Sequence, residues 1–182
     1  MNSYSFLFKP TFTLSSSQIT GNFAYTMLLE LVPSIQRPSK KLDKKYAGQY
    51  DFFLSPKIRI EVKASRAVDF KFDEPLYIKA LASDSNRPFD MNFQQIKPAC
   101  CDVFVLLAAW RDTIKYWVIP SYVVESSPFY SKGQHRGNVG EGQLHLNREN
   151  FAKFDKYLCK STALEKAIKG AFQKEQKLRS GA

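Results

Sequence analysis

Eight consecutive apolar residues, Val103–Trp110, constrain this chain more than any other segment. The run falls far short of the ~20 residues that a membrane-spanning helix needs. Asp102 precedes it and Arg111-Asp112-Thr113 follows, so turn residues bound it at the length of a strand. A strand with no polar alternation has no face to give to water, which puts it inside a sheet covered on both sides. Ile114–Ile119 then reads as a return strand, stopped by Pro120.

The segment Tyr50–Ser65, YDFFLSPKIRIEVKAS, adds a hairpin with Ser55-Pro56-Lys57 as its turn. Its second strand alternates: Ile58, Ile60, Val62 and Ala64 face one way, and Arg59, Glu61, Lys63 and Ser65 face the other. Upstream, serines 15–17 and Pro33 bracket a helix over about 17–32. Ile19, Phe23 and Met27 share a face there, and Glu30 falls near the centre of that face. A carboxylate aimed at a core needs a partner. Glu30 is therefore either a metal ligand or ligand-orienting group, or a residue at a frayed end that reaches solvent.

Residues 66–98 read as polar loop, with short helices near 76–82 and 92–96. Residues 130–147 read as a glycine-rich polar loop, with His145 on a strand. Phe151, Phe154 and Leu158 have helical spacing. Thr162 and Glu165 match a capping box for a last helix carrying Leu164, Ile168 and Phe172. From Arg148 onward nine basic residues face four acidic ones, so that helix has an apolar stripe and a basic face. The fold class expected is α/β, one domain over 1–182, with a central mixed sheet flanked by helices and a C-terminal basic helix.

Lys and Arg number 27 against 17 Asp and Glu, a net charge of +10, which favours a polyanionic partner. The start of the chain lacks a basic stretch followed by an apolar one, as a secretory leader would have. The three cysteines, Cys100, Cys101 and Cys159, make neither a disulfide framework nor a zinc pair. They are expected to be reduced thiols in a cytoplasmic protein without a membrane partner.

Pairing symmetric about Pro56 sets Leu54 opposite Ile58 and Asp51 opposite Glu61. Like charges facing each other across a sheet are unfavourable and demand compensation, by Lys63 or by a divalent cation. Two carboxylates, a cation and an ammonium on one patch are what metal-assisted phosphodiester hydrolysis uses. Alone, a Glu-X-Lys is equally well a solvated surface pair worth little energy.

Asp51, nine residues and then Glu61-Val62-Lys63 resemble the PD-(D/E)XK nuclease superfamily, the restriction-endonuclease-like fold. The preceding helix with Glu30 and the two strands that follow are similar to its core. The resemblance spans roughly 18–120, and 121–182 is similar to the variable, DNA-contacting part of small type II restriction enzymes. It implies Asp51 and Glu61 as Mg²⁺ ligands, Val62 as a carbonyl ligand, Glu30 as an auxiliary acid and Lys63 as the catalytic lysine. Gln95 resembles a glutamine near the site of some members. Tyr50 stands where the motif has proline.

Recognition of duplex DNA is expected from residues 132–143. There Lys132 can contact phosphate, and Gln134, His135, Arg136, Asn138 and Gln143 can reach base edges. An HNH reading of His135, Asn138 and His145 fails on context, because that motif needs a ββα unit. The function expected is a Mg²⁺-dependent DNA endonuclease of restriction type that leaves 5′-phosphates. It would act as a homodimer or beside a separate DNA-recognition subunit. A structure-specific repair or junction nuclease, a non-enzymatic DNA-binding module and a basic membrane-surface protein are the competing readings.

Overall fold

A computed structural model describes residues 17–55, 57–133 and 141–181 of the chain, side chains at 17–21, 76 and 77 aside. The alternating apolar residues Phe6–Leu14, the turn residue Pro56, and Gln134, His135, Arg136 and Asn138 lie outside the described residues.

Helix α1 (Ser17–Leu31) leads into the hairpin β1 (Phe52–Leu54) and β2 (Ile58–Arg66). Then come α2 (Leu76–Lys79), β3 (Asp90–Ile96), β4 (Val103–Ala109), β5 (Ile114–Pro120) and α3 (Ser121–Glu125). Strands β6 (Tyr130–Lys132) and β7 (Gly142–Asn147) follow, then a 3₁₀ helix over Phe151–Tyr157 and β8 (Leu158–Cys159). A short 3₁₀ turn, Ser161–Ala163, opens into helix α4 (Leu164–Ser180). No helix among the described residues is long and apolar enough to cross a membrane.

The central sheet has five strands in the order β1-β2-β4-β5-β8, and only β2 and β4 run parallel. It is the mixed sheet with flanking helices and a C-terminal helix expected from sequence. Strand β4 divides its residues between two cores. Val103, Val105 and Leu107 pack on the side of α1 and α4, while Phe104, Leu106 and Ala108 pack on the other. A second sheet, β3-β7-β6, is antiparallel throughout and covers that other side. Its Met91, Phe93, Leu144 and Leu146 are fully buried in the same cluster as Phe104 and Trp117. The core therefore extends well past residue 120: β7, the 3₁₀ helix and α4 all contribute to it.

Asp102 joins the hairpin to β4. Its backbone N–H donates to the Arg59 carbonyl at 2.9 Å. Its carboxylate accepts from the Arg59 N–H at 2.9 Å, from Nε at 3.1 Å and from Nη2 at 2.8 Å. Its own carbonyl accepts from Ser121 N–H at 3.0 Å, at the start of α3. A fork of charge-assisted bonds at the first parallel pair fixes which residue of β2 lies beside which residue of β4. That alignment sets Glu61 beside Phe104 and Lys63 beside Leu106.

Five expectations change. Residues 130–147 are not loop throughout, since Tyr130–Lys132 and Gly142–Asn147 pair as strands β6 and β7. Residues 92–96 form part of strand β3 rather than a helix, because Met91 and Phe93 alternate into the core with period two. Leu158 belongs to strand β8, which pairs with Trp117 after a 3₁₀ segment. The capping box does not form: Ala163 is the N-cap, and Glu165 accepts instead from Ser34 Oγ at 2.8 Å. Helix α1 buries Ala24 and Leu28, not the face of Phe23 and Met27, and Glu30 is exposed. Apolar residues almost encircle that helix, so tertiary packing rather than periodicity selects its inner face.

The Asp102 clamp is half-buried, so removing one partner strands the other. Asp102→Ala should lower the unfolding free energy by about 3 kcal/mol, read from the shift of a urea midpoint at unchanged slope.

Candidate active site

The hairpin pairs Leu54 with Ile58 and Phe52 with Ile60, the register expected from sequence. One step further the chain bends at Asp51, whose N–H still donates to the Ile60 carbonyl at 3.0 Å. Asp51 thus lies one residue beyond the last pair of the ladder, Phe52 and Ile60. Its Oδ2 accepts from the Val62 N–H at 2.7 Å, which turns the carboxylate toward β2. Helix α1 supports this bend, since the Tyr25 hydroxyl donates to the Asp51 carbonyl at 3.2 Å. Tyr25 also packs on Phe52 at 4.2 Å between ring centroids and lies beneath the Arg37 guanidinium.

Glu61 and Lys63 emerge on the β2 face that the second sheet covers. Glu61 is only 5% exposed. Lys63 Nζ lies 2.6 Å from Glu61 Oε1, and Asp51 lies within hydrogen-bonding reach of Glu61. A second lysine, Lys97, follows the end of β3 and acts electrostatically on both carboxylates. Lys97 is itself held by Glu141, at 2.9 Å, just ahead of β7. The result is a cluster of three acids and two lysines built from the hairpin, β2 and the near ends of β3 and β7.

Burial dominates its electrostatics. The Glu61 carboxyl is pushed up from 4.5 to about 7, first by desolvation and then by the Asp51 charge, with Lys63 opposing. Asp51 is also raised by burial, against the pull of the Val62 N–H, Lys63 and Lys97. Two carboxylates this close and this dry favour a shared proton over two full charges. A dication would remove that conflict. Mg²⁺ commonly takes one or two carboxylates and keeps several waters, which suits a pair of this size. Among the described residues no group of three or more His, Cys, Asp or Glu is placed to hold a metal.

The structure brings Asp51, Glu61, Val62 and Lys63 together. It does not bring Glu30, which is solvent-exposed on α1, while Tyr25 is the α1 side chain that reaches the site. Gln95 is exposed at a bulge between Gln94 and Ile96, with a positive φ of 56°. Lys132 is exposed at the end of β6, and Gln143 lies within β7 with its Oε1 accepting from Asn92 Nδ2 at 2.6 Å. Sequence reasoning did not reach Lys97, Glu141 or Tyr25. Lys97 stands two residues beyond Gln95, but no local pattern ties it to a hairpin more than thirty residues away.

No protein-family model matches the chain, and no curated protein is similar to it. Among solved structures, the bacterial homing endonuclease I-Ssp6803I is similar with a TM-score of 0.46 and 16% identity, over 90% of this chain and 99% of that one. The likeness is too distant to carry a function.

Two measurements follow from this geometry. A carboxyl whose folded-state value is raised favours the protonated fold, so its contribution is full below pH 4.5 and lost as pH rises through about 7. In chelator-treated protein, Glu61→Gln should therefore gain stability relative to wild type between pH 5 and pH 8, by up to about 3 kcal/mol. A flat difference across that range would refute the assignment. At the bulge, a non-glycine residue in the left-handed region carries strain. Gln95→Gly should raise the unfolding free energy by about 1 kcal/mol, read from the urea midpoint at unchanged slope, whereas Gln95→Ala should not.

Proposed function

We propose that this chain is a Mg²⁺-dependent DNA endonuclease of restriction type, acting on duplex DNA and leaving 5′-phosphates. The observation that carries the reading is the convergence of Asp51, Glu61 and Lys63 on one buried face of a hairpin. An exposed Glu-X-Lys pair would need no such burial, and neither would a module that only binds DNA. The order helix, hairpin, parallel strand, return strand agrees with the PD-(D/E)XK resemblance. The net charge of +10 suits a polyanionic substrate.

In this reading Asp51 and Glu61 hold the cation, with the Val62 carbonyl as a third oxygen. When bound, Mg²⁺ polarises the phosphate and lowers the pKa of a coordinated water. Asp51 is aimed by the Val62 N–H, which leaves its second oxygen for the metal. With a cation held by the two carboxylates, Lys63 would no longer be needed to neutralise Glu61. It then orients the attacking water and offsets charge that builds on the phosphoryl oxygens. Lys97 adds positive potential where the substrate phosphate arrives. One such site cuts one strand, so a double-strand break needs a second copy or a separate recognition subunit. The unpaired cysteines suit a reducing cytoplasm.

Plasmid DNA incubated with the protein tests the reading. With Mg²⁺, discrete cleavage is expected; with EDTA, none. Asp51→Ala and Glu61→Gln should each lower the rate at least ~100-fold, and Lys63→Ala by a similar factor. Glu61→Gln cutting at the wild-type rate would overturn the site. Cleavage of branched but not linear duplexes would move the assignment to a structure-specific nuclease. Binding without any cutting would leave a DNA-binding module.

A further inference from the structure

The second sheet has one face in the core and one face outside. Inside are Met91, Phe93, Leu144 and Leu146. Outside, the pairs Asp90↔Asn147, Asn92↔His145 and Gln94↔Gln143 run along β3 and β7, with Ser131 of β6 opposite Gln143. Every one of these positions is exposed or half-buried. Four of the seven side chains are carboxamides, and none of the chain's 27 Lys and Arg stands among them. A sheet face that only meets water gains nothing from Asn and Asp, which suit strands poorly, and a basic chain has lysine at hand for exposed strands.

We propose that this face, centred on Asn92, Gln94, Gln143 and His145, reads base edges in the major groove of duplex DNA. The inference rests on the DNA reading above and deepens it. It moves recognition from residues 134–138 onto the strands β3 and β7. An antiparallel two-stranded ribbon fits the major groove, and carboxamides make paired donor–acceptor contacts with adenine there. The amides are not fully used within the chain. Asn92 Nδ2 donates to Gln143 Oε1, while the Gln94 side chain is exposed. His145 lies 3.5 Å from Asp90, the one acid on the face.

Charge is distributed as a groove reader requires. Neutral donors and acceptors occupy the centre, while Lys132 and Arg148 lie at opposite ends of the β6–β7 pair, and Lys97 follows β3. Cations at the rim meet phosphates and fix register; amides at the centre meet bases.

The test is a binding selection that needs no catalysis. Duplex oligonucleotides with a randomised centre are bound in EDTA, recovered and sequenced, for wild type and for Asn92→Ala, Gln94→Ala and His145→Ala, singly and together. Wild type should enrich a motif, and each variant should lose preference at its own one or two adjacent positions. The triple variant should flatten the motif by at least ~10-fold in enrichment, with its circular dichroism unchanged. Gln94→Glu, nearly isosteric, should change the preferred base at the Gln94 position rather than merely weaken binding. Absence of a wild-type motif, a motif unchanged in the triple variant, or enrichment only of single strands would overturn the proposal. Plasmid cutting is scored separately: a motif that collapses in the variants of a protein that does not cut upholds this face and rejects the nuclease reading.

Discussion

Strand β2 has no free face, and the site depends on that. Parallel pairing with β4 places it beside the most apolar segment of the chain. Helix α1 and helix α4 cover Ile58, Ile60 and Val62 on one side. The second sheet covers the other, where Glu61 and Lys63 must go because their backbone alternates. A charged pair in that position costs desolvation energy that its mutual attraction only partly offsets. Hydrophobic residues of similar size would pack there without that cost. The destabilised carboxylates are the feature of the fold that stability alone does not explain.

Sequence pattern revealed what depends on neighbours in the chain. The hairpin could be placed because its register follows from a three-residue turn, and β4 because an unbroken apolar run has one reasonable location. Features that depend on distant packing were hidden. Helix α1 is apolar on nearly all sides, so its buried stripe of Ala24 and Leu28 could not be told from the neighbouring one, and Glu30 was turned inward by one helical step. The polar members of β3 masked its period, because Asn92 and Gln94 look like loop residues until Met91 and Phe93 are seen in a core. Glu175 is buried at 2% on the apolar stripe of α4, where its carboxylate accepts from Tyr122 N–H at 2.8 Å and Arg179 Nε at 2.7 Å. Arg179 stands four residues on, the helical pairing distance, but nothing near Glu175 in the sequence announces Tyr122.

The same distinction explains which parts of the site were legible. Asp51, Glu61, Val62 and Lys63 lie within one hairpin, and a local register brings them together. Lys97 and Glu141 come from the second sheet, whose packing against β2 the sequence does not encode in any short pattern. Tyr25 arrives from α1 through a single hydroxyl, and only the bend at Asp51 gives that hydroxyl a partner. A site assembled from one hairpin and completed by two distant elements is half visible by construction.

The junction between the two sheets ties these observations together. At Gln95 strand β3 carries an extra residue with a left-handed backbone, and the strand resumes at Ile96 opposite Gly142. Gly142 has no room for a side chain: a Cβ there would lie 2.3 Å from the Tyr130 ring and 2.4 Å from the Ser131 carbonyl. Both constraints sit where the polar outer face ends and the Lys97–Glu141 pair begins. A bulge re-aims the residues that follow it. Without it, the period of two would send Gln95 into the core with Met91 and Phe93 and turn Ile96 outward. The strain at Gln95 and the close approach at Gly142 are therefore the structural terms on which the sheet keeps Ile96 buried opposite Gly142, directly ahead of Lys97.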